Sequence, residues 1–99
     1  MELLEQNRKA IHELCKQHKV KELYAFGSVL TPRFSAGSDV DMLVVFEPID
    51  LKSYADNYYS LKFSLEKLFK KSVDLLEHQA IKNPYFKKSL DKQRQLIYG

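Results

Sequence analysis

Asp39 and Asp41 stand at i and i+2 ahead of the apolar run Met42-Leu43-Val44-Val45-Phe46, ten residues after the pair Gly27-Ser28. On a strand, residues two apart point to the same face. The two carboxylates can therefore converge on one hard divalent cation or on a pair of them. The chemistry that needs this arrangement is metal-assisted transfer of a phosphorus-containing group. Moving a nucleoside monophosphate requires a neutralised polyphosphate, a stabilised pyrophosphate and a deprotonated acceptor hydroxyl. Two Mg2+ ions about 3.5–4 Å apart can serve all three needs by holding both in-line oxygens. Magnesium takes carboxylate oxygens and completes its octahedron with waters and phosphates.

A third carboxylate is expected from a neighbouring strand, on the side of the attacking hydroxyl. Asp74 fits, because Val73-Asp74-Leu75-Leu76 sets it among apolar residues, where a charge without a partner is costly to desolvate. Its expected role is ligand to the hydroxyl-side metal and base for the attacking oxygen. Gly27 lets backbone approach a phosphate closely, and Ser28 adds a hydroxyl and an N–H. Each piece has a bland alternative: a plain Gly-Ser turn, a solvated Asp-x-Asp, an aspartate on an exposed edge strand. Their order along one chain, each followed by apolar strand residues, favours a metal–nucleotide site.

The elements that must position these groups are legible in the pattern. Leu4, Ile11, Leu14, Cys15 and His18 follow helical spacing and predict an amphipathic helix over 2–18. Val20 to Phe26 alternates as a first strand, ended by Gly27-Ser28. Turn residues at Thr31-Pro32 and Ser35-Ala36-Gly37-Ser38 follow. A second strand runs from Asp39 to Phe46, its near-continuous apolar tail implying burial on both faces. The longest periodic segment, 53–69, turns Tyr54, Tyr58, Leu61, Leu65, Leu68 and Phe69 toward the sheet, with Ser53 as expected N-cap. Residues 72–76 make a third strand, Asn83-Pro84 opens a helix to about Lys92, and 95–98 form a last edge strand. The first two strands return directly, without a crossover helix, so they are not an ordinary parallel pair. The expected fold is α/β in the broad sense (α+β): a single domain, residues 1–99, with a mixed β-sheet of about four strands and helices packed against it.

Composition narrows the partners. Ninety-nine residues with 44% apolar content allow one core and one shallow site, so a second chain is expected to complete any substrate pocket. A net charge of +3 suits a polyphosphate but is too small to argue for nucleic acid. The single cysteine, Cys15, excludes an internal disulfide and suits a reducing, cytoplasmic setting. No apolar run approaches the ~20 residues of a membrane span, and the first residues do not resemble a signal peptide.

Phe26-Gly27-Ser28, the ten-residue gap and Ser38-Asp39-Val40-Asp41-Met42-Leu43-Val44 resemble the motif of the DNA polymerase β-type nucleotidyltransferase superfamily. Within it the chain is similar to the minimal nucleotidyltransferases (MNT, MntA-like), over almost its whole length. The resemblance implies that Gly27 and Ser28 hold nucleotide phosphate and that Asp39, Asp41 and Asp74 bind Mg2+. Such proteins commonly sit beside a helical HEPN-type protein, and some are antitoxins that transfer AMP from ATP to a tyrosine of that toxin. Two rival functions remain: neutralising a partner by binding alone, or transfer to a small molecule such as an aminoglycoside. The latter is disfavoured because 99 residues leave no second domain to hold one. Many members carry Ala-Arg-Gly shortly after Gly-Ser, whereas this chain has Val29-Leu30-Thr31-Pro32-Arg33. Arg33 stands evenly between a phosphate contact and a solvated loop residue.

The remaining groups carry less. His12, His18 and His78 lack metal-ligand spacing and are expected to be structural or solvated. Lys82, Lys87, Lys88, Lys92 and Arg94 make the last helix basic, chiefly as a solvated face. Tyr59 and Phe63 lie opposite the buried stripe of their helix, so either another segment covers them or they form a partner surface. Self-association of the chain is left open.

Overall fold

The computed structural model describes residues 2–32, 34–35 and 37–99. Its elements in order are α1 (Glu2–Gln6), α2 (Arg8–Gln17), β1 (Val20–Phe26), β2 (Val40–Phe46), α3 (Leu51–Phe69), β3 (Val73–Glu77), α4 (Pro84–Gln93) and β4 (Gln95–Tyr98). Four strands form one mixed sheet in the order β3-β2-β1-β4. β1 is antiparallel to both β2 and β4, while β2 and β3 run parallel through the α3 crossover. The expected mixed sheet and direct β1–β2 return are therefore both present.

Alternation splits each strand between two faces. On one face Leu23, Ala25, Met42, Val44, Val73 and Leu75 meet Ile11 and Cys15 of α2 and Leu61, Leu65 and Phe69 of α3, all buried in one cluster. Tyr54, Tyr58 and Leu68 pack at its rim, as the helical stripe predicts. The Tyr54 hydroxyl donates to the Glu77 carboxylate and that of Tyr58 to the Leu75 carbonyl, which ties α3 to the edge strand β3. His18 is buried here, its ring bridging the Leu14 carbonyl at 2.7 Å and the Ser60 hydroxyl at 2.9 Å. Burial pushes the Cys15 thiol up to about 12, so it stays protonated and inert at neutral pH.

The other face is covered lightly. Leu90 of α4, with Ile81, sits on Phe26, Leu43, Tyr24 and Leu76. Asn83 caps α4 as expected, accepting from the Tyr85 and Phe86 amides at 2.9 and 3.2 Å. Arg94 lies 4.1 Å over the Tyr24 ring and pairs with Asp91 at 3.3 Å, fastening the helix end to β1. His78 stands 3.8 Å from the same aspartate, and His12 contacts the Ile97 carbonyl at 3.1 Å, so both histidines have structural neighbours.

Several boundaries differ from the sequence expectation; β3, for one, spans Val73–Glu77 and not 72–76. The first helix breaks at Asn7, whose side-chain amide donates to the Leu3 carbonyl at 2.8 Å. A short polar side chain competing for backbone carbonyls interrupts the helical ladder there. α3 begins at Leu51 rather than beyond Ser53, because the Ser53 amide already donates to the Asp50 carbonyl at 2.9 Å. Finally, β2 starts at Val40, leaving Asp39 just ahead of the ladder.

Candidate active site

Asp41 is the centre of the site, and strand register puts it there. It pairs with Phe26 across the antiparallel β1–β2 ladder and with Asp74 across the parallel β2–β3 ladder. Neighbouring strands lie about 4.8 Å apart, so paired residues stand side by side on one face. Leu43 pairs with Leu76 one alternation further along, and both belong to the lightly covered face. Asp41 and Asp74 therefore share that face, one step beyond the patch sealed by Leu90. Asp74 lies on an edge strand and is exposed, with Asp41 as its register partner.

The carboxylates feel one another. Burial, then Asp74, then Asp39 raise the Asp41 carboxyl above its ordinary range. Asp39 is exposed and outside the strand, yet its charge still reaches Asp41. Among the described residues, no group of three or more His, Cys, Asp or Glu side chains is gathered closely enough to enclose a metal unaided. Magnesium does not need such a cage, since it uses one or two carboxylates together with waters and substrate phosphates. An all-oxygen donor set whose like charges repel fits a hard divalent cation that draws them together.

Gly27 follows β1 immediately and opens a short 3-10 turn, Gly27–Leu30. Its φ of +75° lies in the left-handed region, and a Cβ placed on it would meet Asp41 Oδ2 at 2.5 Å. Conformation and space both require glycine at this position. Ser28, half-buried, is the next residue of that turn, and its carbonyl accepts the Thr31 amide and hydroxyl, each at 2.9 Å. The Gly-Ser turn is thus packed against the Asp41 carboxylate, not merely near it in sequence. Arg33 lies outside the described residues.

The segment leading to Asp39 is closed by local bonds: the Ser38 amide to the Ser35 carbonyl at 3.0 Å, and the Ser35 amide to Ser38 Oγ at 3.1 Å. The Val40 amide then donates to the Ser72 carbonyl at 3.0 Å and starts the β2–β3 ladder. Sequence reasoning missed two residues that hold this end of the sheet. Glu66, at the end of α3, accepts the Val73 amide at 2.9 Å, and Lys71 reaches the loop before Asp39. Neither has a sequence signal, because their partners lie across a helix–strand junction.

A model described as a nucleotidyltransferase domain matches residues 7–97. The chain belongs to that family. Two proteins of Methanocaldococcus jannaschii that carry the provisional name protein adenylyltransferase are 34% and 37% identical to this nucleotidyltransferase. The alignments span 98% of this chain in both cases, and 91% and 94% of the relatives. A solved structure described provisionally as a minimal nucleotidyltransferase superposes with a TM-score of 0.79 at 28% identity, covering 95% of this chain and 92% of that one. The fold is also that of an MNT antitoxin solved with a tri-AMPylated HEPN toxin of Shewanella oneidensis, with a TM-score of 0.68 at 20% identity, covering 97% and 72% of the two chains. The expected resemblance to minimal nucleotidyltransferases is therefore present in both sequence and fold. Among its described residues, no helix is long and apolar enough to cross a membrane.

Proposed function

We propose that this nucleotidyltransferase transfers AMP from ATP to a tyrosine hydroxyl of a HEPN-type helical partner, as the antitoxin of a toxin–antitoxin pair. The observation that carries the reading is the register that sets Asp41 beside Asp74 on the open face, with Gly27 packed on Asp41. The names of the M. jannaschii relatives and the AMP-bearing toxin in the Shewanella complex support it.

The acceptor oxygen attacks the α-phosphorus of ATP, the bond from that phosphorus to the bridging oxygen breaks, and pyrophosphate leaves. The Asp74 carboxylate, exposed at the strand edge, takes the proton from the incoming hydroxyl. The turn at Gly27 and Ser28 offers close-approaching backbone and a hydroxyl to orient the phosphates. Asp39, Asp41 and Asp74 would hold Mg2+, which when bound supplies neutralising charge for the polyphosphate. The site is open, so the partner supplies the remaining wall and the acceptor.

Labelled ATP mixed with the chain and its HEPN-type partner tests this directly. The expected result is label on a partner tyrosine, reduced about a thousandfold in the double variant Asp39→Asn/Asp41→Asn, the scale of several kcal/mol for a metal site. Undiminished transfer by that variant refutes the reading. A second reading, neutralisation by occlusion, is favoured by the stacked and exposed pair Tyr59 and Phe63, which are 51% and 58% accessible. Occlusion predicts that the double aspartate variant still neutralises the toxin while Tyr59→Ser/Phe63→Ser does not.

A further inference from the structure

We infer that Lys71 is a positioning residue: its ammonium fastens the loop before Asp39 so that this carboxylate is held at the cation site. This rests on the reading above that Asp39 is a cation ligand. Lys71 Nζ donates to the Ser35 carbonyl at 2.8 Å, lies 3.4 Å from the Ser38 carbonyl, and sits 4.8 Å from the centroid of the Phe34 ring. Two carbonyls and an aromatic face thus converge on one cation, at the two ends of the turn that delivers Asp39.

The launch point is equally fixed. Lys70, at φ +55°, ends α3 in the left-handed conformation. The Lys71 amide donates to the Glu66 carbonyl at 3.3 Å, and the Glu66 carboxylate holds the Val73 amide. Lys71 therefore leaves a pinned junction one residue before Ser72, whose carbonyl receives the Val40 amide. Side chain and backbone of this junction grip the start of β2 from both sides of Asp39.

The need for such a grip follows from where Asp39 lies. It precedes the ladder, is exposed, and carries a charge that Asp41 feels. Without a second restraint, that repulsion favours turning the loop away from the other two carboxylates. The charges that raise the Asp41 carboxyl are those of Asp74 and Asp39, while the ammonium is engaged by the loop carbonyls.

The test is Mn2+ titration, with a non-hydrolysable ATP analogue present, of the wild type, Lys71→Met, Lys71→Arg and Asp39→Asn. Amide hydrogen exchange at Ser38 is followed alongside. Lys71→Met is expected to bind Mn2+ about tenfold more weakly, the usual scale for losing an outer-shell support, and to exchange faster at Ser38. Lys71→Arg is expected to restore most of both. Wild-type affinity in Lys71→Met, or weakened affinity with unchanged exchange, overturns the inference. Wild-type affinity in Asp39→Asn instead removes Asp39 as a cation ligand, and the positioning role of Lys71 with it. Should Lys71→Met fail to fold, Lys71→Gln is read in the same way.

Discussion

The same four strands present two faces that serve opposite ends. Against α2 and α3, every inward residue of the central strands is apolar and buried, and polar groups such as His18 have their partners. Against α4, the apolar cover stops at Leu90, and the strand positions just beyond it carry Asp41 and Asp74. Setting the half-buried Asp41 carboxylate beside two others is unfavourable, and burial, then Asp74, then Asp39 push its carboxyl up. The closed face supplies the stability that lets the open face keep that unfavourable arrangement.

This contrast can be broken from the closed side first. Leu65→Ala, at a fully buried position, is expected to cost about 2–5 kcal/mol in urea unfolding. Transfer per folded molecule should stay near wild type at low temperature. A loss of activity without loss of stability would mean that the faces are not separable.

Gly27→Ala acts on the boundary between them. A left-handed φ costs a side-chain-bearing residue about 1–2 kcal/mol, and the new Cβ must displace the Asp41 carboxylate. Activity is expected to fall more than tenfold, well beyond what the change in stability explains. Retained activity would show that the turn and Asp41 need not touch.

Asp41→Asn sharpens the contrast with the smallest effect on stability, and in the opposite direction. The folded carboxyl sits above its unfolded value, so the folded state binds more protons and stability falls as pH rises through that interval. At neutral pH the variant is expected to melt above wild type while losing transfer. The gap should close as pH falls and Asp41 protonates. Thermal melts across the carboxylate range check this, and a variant less stable at pH 7 would contradict it.

Much of the site was readable because it rests on short-range rules. Gly27-Ser28, Asp39 and Asp41 lie within fifteen residues, and Asn83-Pro84 announces its helix by local capping chemistry. Asp74 was readable as an odd charge in an apolar strand, though nothing local assigned its neighbour. The break at Asn7 escaped notice because the apolar stripe runs on past it, while the side chain diverts a single carbonyl. Lys71 and Glu66 were invisible for a different reason. A lysine or glutamate near a helix end reads as solvated until its partners are known.

Periodicity and composition by themselves determined the element types, the apolar face of α3, and a carboxylate-rich site of small size. Those properties depend on spacing along the chain, which sequence records directly. Only the tertiary structure decided that β2 and β3 pair with Asp41 opposite Asp74, that Gly27 packs on that carboxylate, and that Lys71 reaches the loop before Asp39. A register shift of one residue would turn the aspartates to the wrong face. Burial of the apolar face against α2 and α3 specifies that register, through contacts between segments distant in sequence that no local pattern contains.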